Sequence, residues 1–207
     1  MSGNRSDAWS TALHVWNTAA RELTRLQGTV DPEAFERCVE AIASCAGRVV
    51  TAGVGTSGAA AKKVAHSLSC IERPSFFLSP GDAVHGALGA VQSEDVAILF
   101  SKGGGTREVV NMIPALKTKR VFLIAVTENA GSVLAKEADL LLQVAVEGEA
   151  DEFNMLATTS TMAVTAVFDA VAIALMKRTG YTKEQFAVIH PGGAVGERLL
   201  AKHKERQ

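Results

Sequence analysis

The sequence predicts an α/β fold in three layers. A five-stranded parallel sheet lies between helices on both faces, and two helices precede the first strand. Three observations carry this expectation. Short apolar runs alternate with segments whose apolar residues recur at helical spacing. The runs are apolar throughout, not at every second residue, which fits strands covered on both sides. Two of the runs end in glycine-rich turns that open into helices.

In chain order, Asp7 to Leu26 sets Leu13, Trp16, Ala20, Leu23 and Leu26 at helical spacing, and Gly28 is placed to end that helix. Asp31-Pro32-Glu33 starts a second helix, with Asp as N-cap and Pro in the first turn. Its apolar side is Phe35, Cys38, Val39, Ile42 and Cys45. The stripe on the first helix needs a cover, and a homo-oligomer, dimer or tetramer, would supply one. The strands are expected at Val49–Val54, Ser75–Leu78, Val96–Phe100, Val121–Val126 and Leu140–Val146. A glycine-rich loop from Ser79 to Gly89 carries Asp82 and His85. A helix is expected over Ser132–Ala138, and a long one from about Leu156 to Lys177. The organisation reads as an N-terminal helical extension (1–46), an α/β domain (47–200) and a charged tail (201–207).

The turn after the third strand is Ser101-Lys102-Gly103-Gly104-Gly105-Thr106, followed by Arg107, Glu108 and a helical pattern through Val109, Met112, Ile113 and Leu116. Glycines let the backbone approach a bound group closely. The unpaired N–H groups and dipole of a helix start favour an anion. Ser101 and Thr106 add hydroxyls and Lys102 adds a positive charge, so the turn has the chemistry of a phosphate cradle. It is neither a P-loop nor a dinucleotide fingerprint, because both spacings are absent here. The turn after the first strand, Gly53-Val54-Gly55-Thr56-Ser57-Gly58, has the same character. In a parallel sheet both turns lie at strand carboxyl ends, where ligands bind.

Composition narrows the function classes. The 207 residues are 47% apolar and 21% charged, with a net charge of −1, which argues against nucleic acid or an anionic membrane as partner. Cys38, Cys45 and Cys70 have neither CxxC nor metal-ligand spacing, and with no apolar leader at the N-terminus they suggest reduced thiols in the cytoplasm. The longest apolar stretch, Met162–Met176, is short for a bilayer span and is interrupted by Asp169. No compact ligand spacing points to a metal.

With both turns in view the sequence resembles the SIS (sugar isomerase) family, whose two phosphosugar loops correspond to Gly55-Thr56-Ser57-Gly58 and Ser101–Thr106. It is most similar to the arabinose-5-phosphate isomerase branch. The segments that carry this are Phe76–Gly86 (with Asp82-Ala83-Val84-His85-Gly86), Ala157–Thr161, and His190-Pro191-Gly192-Gly193-Ala194-Val195-Gly196. The resemblance covers about Gly47 to Leu200 and implies a flavodoxin-like sheet order. It also departs from the branch. Thr56 stands where the branch has lysine, and Ser101–Gly105 stands where it has Ser-Asn-Ser-Gly-Glu. The loop after Glu149 lacks the usual cysteine-proline, although Glu149 itself matches, and the sequence ends at Gln207 without paired CBS domains.

The resemblance implies aldose–ketose isomerisation of a sugar phosphate through an enediol, as between D-ribulose 5-phosphate and D-arabinose 5-phosphate. That chemistry asks for a base, a donor to the oxygens and a remote grip on the phosphate, with no metal or organic cofactor. The implied catalytic set is Glu149 as proton-abstracting base and His190 as ring-opening acid/base, with Glu108 and His85 in support. The implied substrate-binding set is Gly55, Thr56, Ser57, Ser101, Lys102, Gly103, Gly104, Thr106 and Thr158. Read without the resemblance, Glu108 is a carboxylate complementing a helix start, Glu149 a member of an acidic loop, and Thr158 a helix cap. The resemblance also lets His190 serve the site of a neighbouring subunit. A 6-phospho-3-hexuloisomerase-like enzyme and a non-catalytic phosphosugar-binding regulatory module are the alternatives.

Overall fold

The computed structural model describes residues 3–192. The charged tail and the Gly193–Gly196 end of the His-Pro-Gly-Gly segment lie outside the described residues. Five parallel strands, β1 (Val49–Gly53), β2 (Ser75–Phe77), β3 (Val96–Phe100), β4 (Phe122–Thr127) and β5 (Leu140–Gln143), form one sheet in the order β2-β1-β3-β4-β5. β1 and β3 are buried at every residue, as expected for strands sandwiched between helices.

The helices sort by face. On one side, Val49, Ile98, Phe100, Ile124 and Leu142 pack with α2 (Pro32–Ala43), α3 (Gly55–Ser69) and α8 (Thr159–Thr179). On the other, Val50, Leu99, Leu123 and Ala125 pack with α4 (Pro80–Ala83), α5 (Arg107–Val110), α6 (Ile113–Thr118) and α7 (Val133–Glu137). The outer helix α1 (Gly3–Thr29) lies on α8, with Leu23 and Leu26 packed against the first core. α9 (Lys183–Ile189) follows α8 and is not foreseen in the sequence reading, although Thr182 and Gln185 form a full capping box.

Three expectations need correction. Gly28 does not end α1, which runs one residue further to Thr29. The single helical pattern after the third strand is two short helices, because Pro114 falls in the first turn of α6, where a missing N–H is tolerated. α8 starts three residues later than expected, at Thr159, and ends two residues later, at Thr179. By length and composition it could cross a membrane. Here Phe168, Val171 and Leu175 are buried in the first core, and Asp169 pairs with Lys63 of α3.

Candidate active site

β1 pairs with β2 on one side and β3 on the other, so the order reverses at the β1–β3 pair. Gly53 and Phe100 are register partners, and the two glycine turns therefore leave the sheet side by side. In the first turn Val54 is the N-cap of α3 and has no side-chain capping bond. Gly58 lets that helix start sit directly on the strand end, since a Cβ there would come 2.7 Å from the Gly53 carbonyl oxygen.

The second turn is braced from β4. The Lys102 carbonyl accepts from the Thr127 hydroxyl at 2.7 Å and the Glu128 N–H at 3.0 Å. Ser101 is buried and shares a 2.8 Å hydrogen bond with the Thr106 hydroxyl. Gly104 has φ +68°, and a Cβ there would strike Ser132 Oγ at 2.1 Å, so the backbone demands glycine at this position. Gly103 and Gly105 face open space and carry no such demand.

Between the turns lies a small cleft lined on its polar side by Thr56, Ser57, Ser101, Lys102, Ser160 and Thr161. Lys102 is the only cation lining it among the described residues. Thr127 and Glu128 also line the cleft and are not singled out by the sequence; they come into view only when β4 is placed beside β3.

Glu149 sits beside this cleft in the loop between β5 and α8. Its side chain is fully buried, with Oε1 2.7 Å from Lys102 Nζ. Oε2 accepts from the Thr158 N–H at 2.9 Å, the Ser160 N–H at 3.2 Å and the Thr158 hydroxyl at 3.3 Å, and the Ser160 hydroxyl donates to Oε1. The carboxylate thus caps the start of α8 from outside the helix. Burial pushes its pKa up. The Lys102 ammonium, the Ser160 hydroxyl and N–H, and the Thr158 N–H outweigh burial and hold it at about 2.

The rest of this loop is built to present Glu149. Asn154 Oδ1 accepts from the Glu149 N–H at 2.6 Å, and the Asp151 carboxylate accepts from the N–H groups of Phe153, Met155 and Leu156. The Glu147 N–H donates to Glu22 of α1 at 3.0 Å, tying the loop to the outer helix.

The expected site residues are partly brought together. Gly55, Thr56, Ser57, Ser101, Lys102, Gly103, Gly104 and Thr106 belong to the two turns and Thr158 to the α8 start, which the Glu149 carboxylate reaches from the preceding loop. Glu108 and His85 do not line the cleft. They are exposed, one on α5 and the other just after α4, and Val109 and Ala83 of those helices share the second core. His190 ends α9, with its ring stacked on Phe186 and Nδ1 bonded to the Phe186 carbonyl at 2.9 Å. α9 is anchored beyond the C-terminus of α3, where Tyr181 donates to the Cys70 carbonyl and Gln185 to Glu72. The cleft lies at the other end of that helix, roughly 20 Å away for 15 residues at 1.5 Å each. Among the described residues no group of three His, Cys, Asp or Glu side chains is placed to hold a metal ion.

Comparison with known proteins agrees with this geometry. The SIS-domain profile matches residues 42–174. Over 170 residues the chain is 41% identical to the arabinose 5-phosphate isomerase KdsD of Yersinia pestis, covering 82% of this chain and 52% of that protein. The chain spans about half the length of the curated relatives it matches. A crystal structure from Listeria monocytogenes, described as a candidate sugar-phosphate isomerase, superposes with a TM-score of 0.90 at 55% identity, covering 93% of this chain and all of that one. An Escherichia coli CFT073 protein solved in complex with arabinose 5-phosphate superposes with a TM-score of 0.87 at 34% identity, covering 92% of this chain and all of that one.

Proposed function

The chain belongs to the SIS-domain family, and on that footing we propose that it is a sugar-phosphate aldose–ketose isomerase of the arabinose-5-phosphate type. The observation that carries this reading is the buried carboxylate of Glu149 beside a cleft formed by two glycine turns at the sheet's reversal point. Thr56, Ser57, Ser101 and Lys102 hold the phosphate group, which fixes the sugar chain relative to Glu149. In the aldose-to-ketose direction the Glu149 carboxylate takes the proton from C2. The C–H electron pair becomes the C1–C2 double bond, and the C1 oxygen takes up a proton, giving the enediol. A proton then adds to C1 while the C2 hydroxyl loses its own, leaving the ketone at C2. No step requires a cofactor.

The other candidates act from further away. Glu108 and His85 are placed on adjacent exposed segments, and His190 at the end of α9 serves the cleft of a neighbouring subunit. The exposed α1 stripe supports an oligomer, dimer or tetramer. Trp9 and Trp16 are 59% and 55% exposed, meet edge to face at 5.5 Å, and continue to Leu13. The free thiols Cys38, Cys45 and Cys70 fit a cytoplasmic protein. The organisation is a helical extension (1–46), the SIS domain (47–200) and a tail (201–207).

One observation favours a second reading. A carboxylate whose pKa is held at about 2 is a weak base, which suits a phosphosugar-binding module without turnover. The test offers purified protein a panel of tetrose, pentose and hexose phosphates and follows conversion by NMR. Turnover of a pentose phosphate, lost in Glu149→Gln, is the expected result. Binding of sugar phosphates with no turnover of any would leave the binding module.

A further inference from the structure

The proposed base is tied up by the residue proposed to grip the phosphate. Lys102 Nζ lies 2.7 Å from Glu149 Oε1, yet Lys102 also lines the cleft with Thr56, Ser57 and Ser101. Glu149 is fully buried while the Lys102 side chain is 38% exposed, so of the two partners only the lysine has solvent in which to move. The Lys102 backbone is pinned through its carbonyl by Thr127 and Glu128. Motion is therefore confined to the flexible four-carbon stem, which carries a compact charge with rotatable donors. Next to it, Gly103 presents open space. Glu149 keeps its helix-start donors, the N–H groups of Thr158 and Ser160, whether or not Lys102 stays.

Electrostatics sets the direction of the exchange. A phosphate dianion entering the cleft meets one cation there among the described residues, and that cation is paired with a single negative charge. At equal distance the dianion attracts it twice as strongly. A carboxylate relieved of its cation is a stronger base. Resting on the isomerase reading above, we propose that Lys102 is a phosphate-responsive clamp: its ammonium pairs with Glu149 until a phosphate group draws it away, and that transfer frees the carboxylate to take the sugar proton. Lys102 is thus a positioning residue for Glu149 as well as a ligand of the phosphate. The base becomes active when substrate is in place.

Among the described residues, the charged groups on the elements packed around Glu149 are Lys102 from the second turn, Glu128 from the loop after β4, Glu147, Asp151 and Glu152 from its own loop, and Arg21, Glu22 and Arg25 from α1, where Arg21 is also paired with Glu22. Arg25 is already paired with both Glu147 and Glu22. Lys102 is accordingly the group whose removal changes the field at Glu149.

The experiment uses protein labelled with carboxyl-¹³C glutamate, with the Glu149 resonance assigned by its loss in Glu149→Gln. Inorganic phosphate is titrated at pH 7. The clamp predicts that the Glu149 resonance moves with phosphate toward its position in phosphate-free Lys102→Met. It predicts that Lys102→Met binds phosphate at least tenfold more weakly, and that Lys102→Arg keeps phosphate binding and folding. Kinetics adds a second readout, because kcat/KM reports the free enzyme and kcat the complex. Lys102→Met moves the acid limb of kcat/KM to higher pH and leaves the acid limb of kcat where it was. Phosphate binding that leaves the Glu149 resonance in place overturns the proposal, as does wild-type affinity in Lys102→Met or no phosphate binding at all. If the wild type converts no sugar phosphate, the isomerase reading fails by itself, and the phosphate titration still decides the clamp.

Discussion

Two helix starts flank the cleft, and they are finished differently. At α8 the donors of Thr158 and Ser160 are taken by Glu149, a carboxylate from the same chain. At α3 the N-cap is Val54, which offers no side-chain acceptor, and the first turn presents Thr56 and Ser57 to the cleft. The same local physics, orphan N–H groups and a positive dipole end, is used twice. One start is filled by a residue that stabilises the fold, while the other has no side-chain cap and, on the function proposed above, is where the phosphate binds. Capping by the chain's own carboxylate is what places Glu149 beside Lys102 of the second glycine turn.

The largest expected effect breaks the α8 start. Glu149→Ala removes several charge-assisted hydrogen bonds together and should lose about 3 kcal/mol in urea unfolding, with loss of turnover. The acid dependence follows with its sign. The folded-state pKa is depressed, so this stabilisation is complete above pH 4.5 and is lost as pH falls toward 2. Acid unfolding of Glu149→Ala should lack that component between those limits. An acid profile identical to wild type would deny Glu149 its capping role.

The α3 start predicts the opposite behaviour, with small effects on the free protein and large ones on binding. Saturating phosphate at about 100 times its Kd should stabilise the wild type by about 2.7 kcal/mol, read as a rise in Tm. The smallest effect is the most pointed. Ser57→Asp gives the α3 start a carboxylate of its own, which should stabilise the free protein by about 0.3–1 kcal/mol through the dipole. The same change should abolish the phosphate-dependent rise. A variant that still shows the full rise would move the anion site away from α3.

The contrast between the starts also marks what is legible in the sequence. All five strands can be placed, because apolar runs bounded by glycine, proline and polar turns are local signals. Both glycine turns can be assigned to strand ends for the same reason, and Gly104 proves to be the one of its three that the backbone cannot replace with a side chain. Glu149 looks locally like one acid among several. Its burial comes from contacts to Lys102, 47 residues earlier, and to Ser160, 11 residues later, which no local window contains. Thr127 and Glu128 are hidden likewise, since only β3–β4 pairing brings them to the cleft. α9 is a different case. Its capping box is written locally in Thr182–Gln185, but it sits between a long apolar helix and the more conspicuous His190 segment. The distance of His190 from the cleft cannot be read at all, because it depends on α9 docking at the far end of α3.

The most direct test of isomerisation at this cleft is proton exchange at the carbon beside the carbonyl. Arabinose 5-phosphate would be incubated with the protein in deuterated water and followed by NMR. Isomerisation through Glu149 predicts deuterium at that carbon together with ketose formation in the wild type, and neither in Glu149→Gln. Exchange that persists in Glu149→Gln would move the base elsewhere. Absence of exchange in a wild type that still binds the sugar phosphate would contradict isomerisation at this cleft.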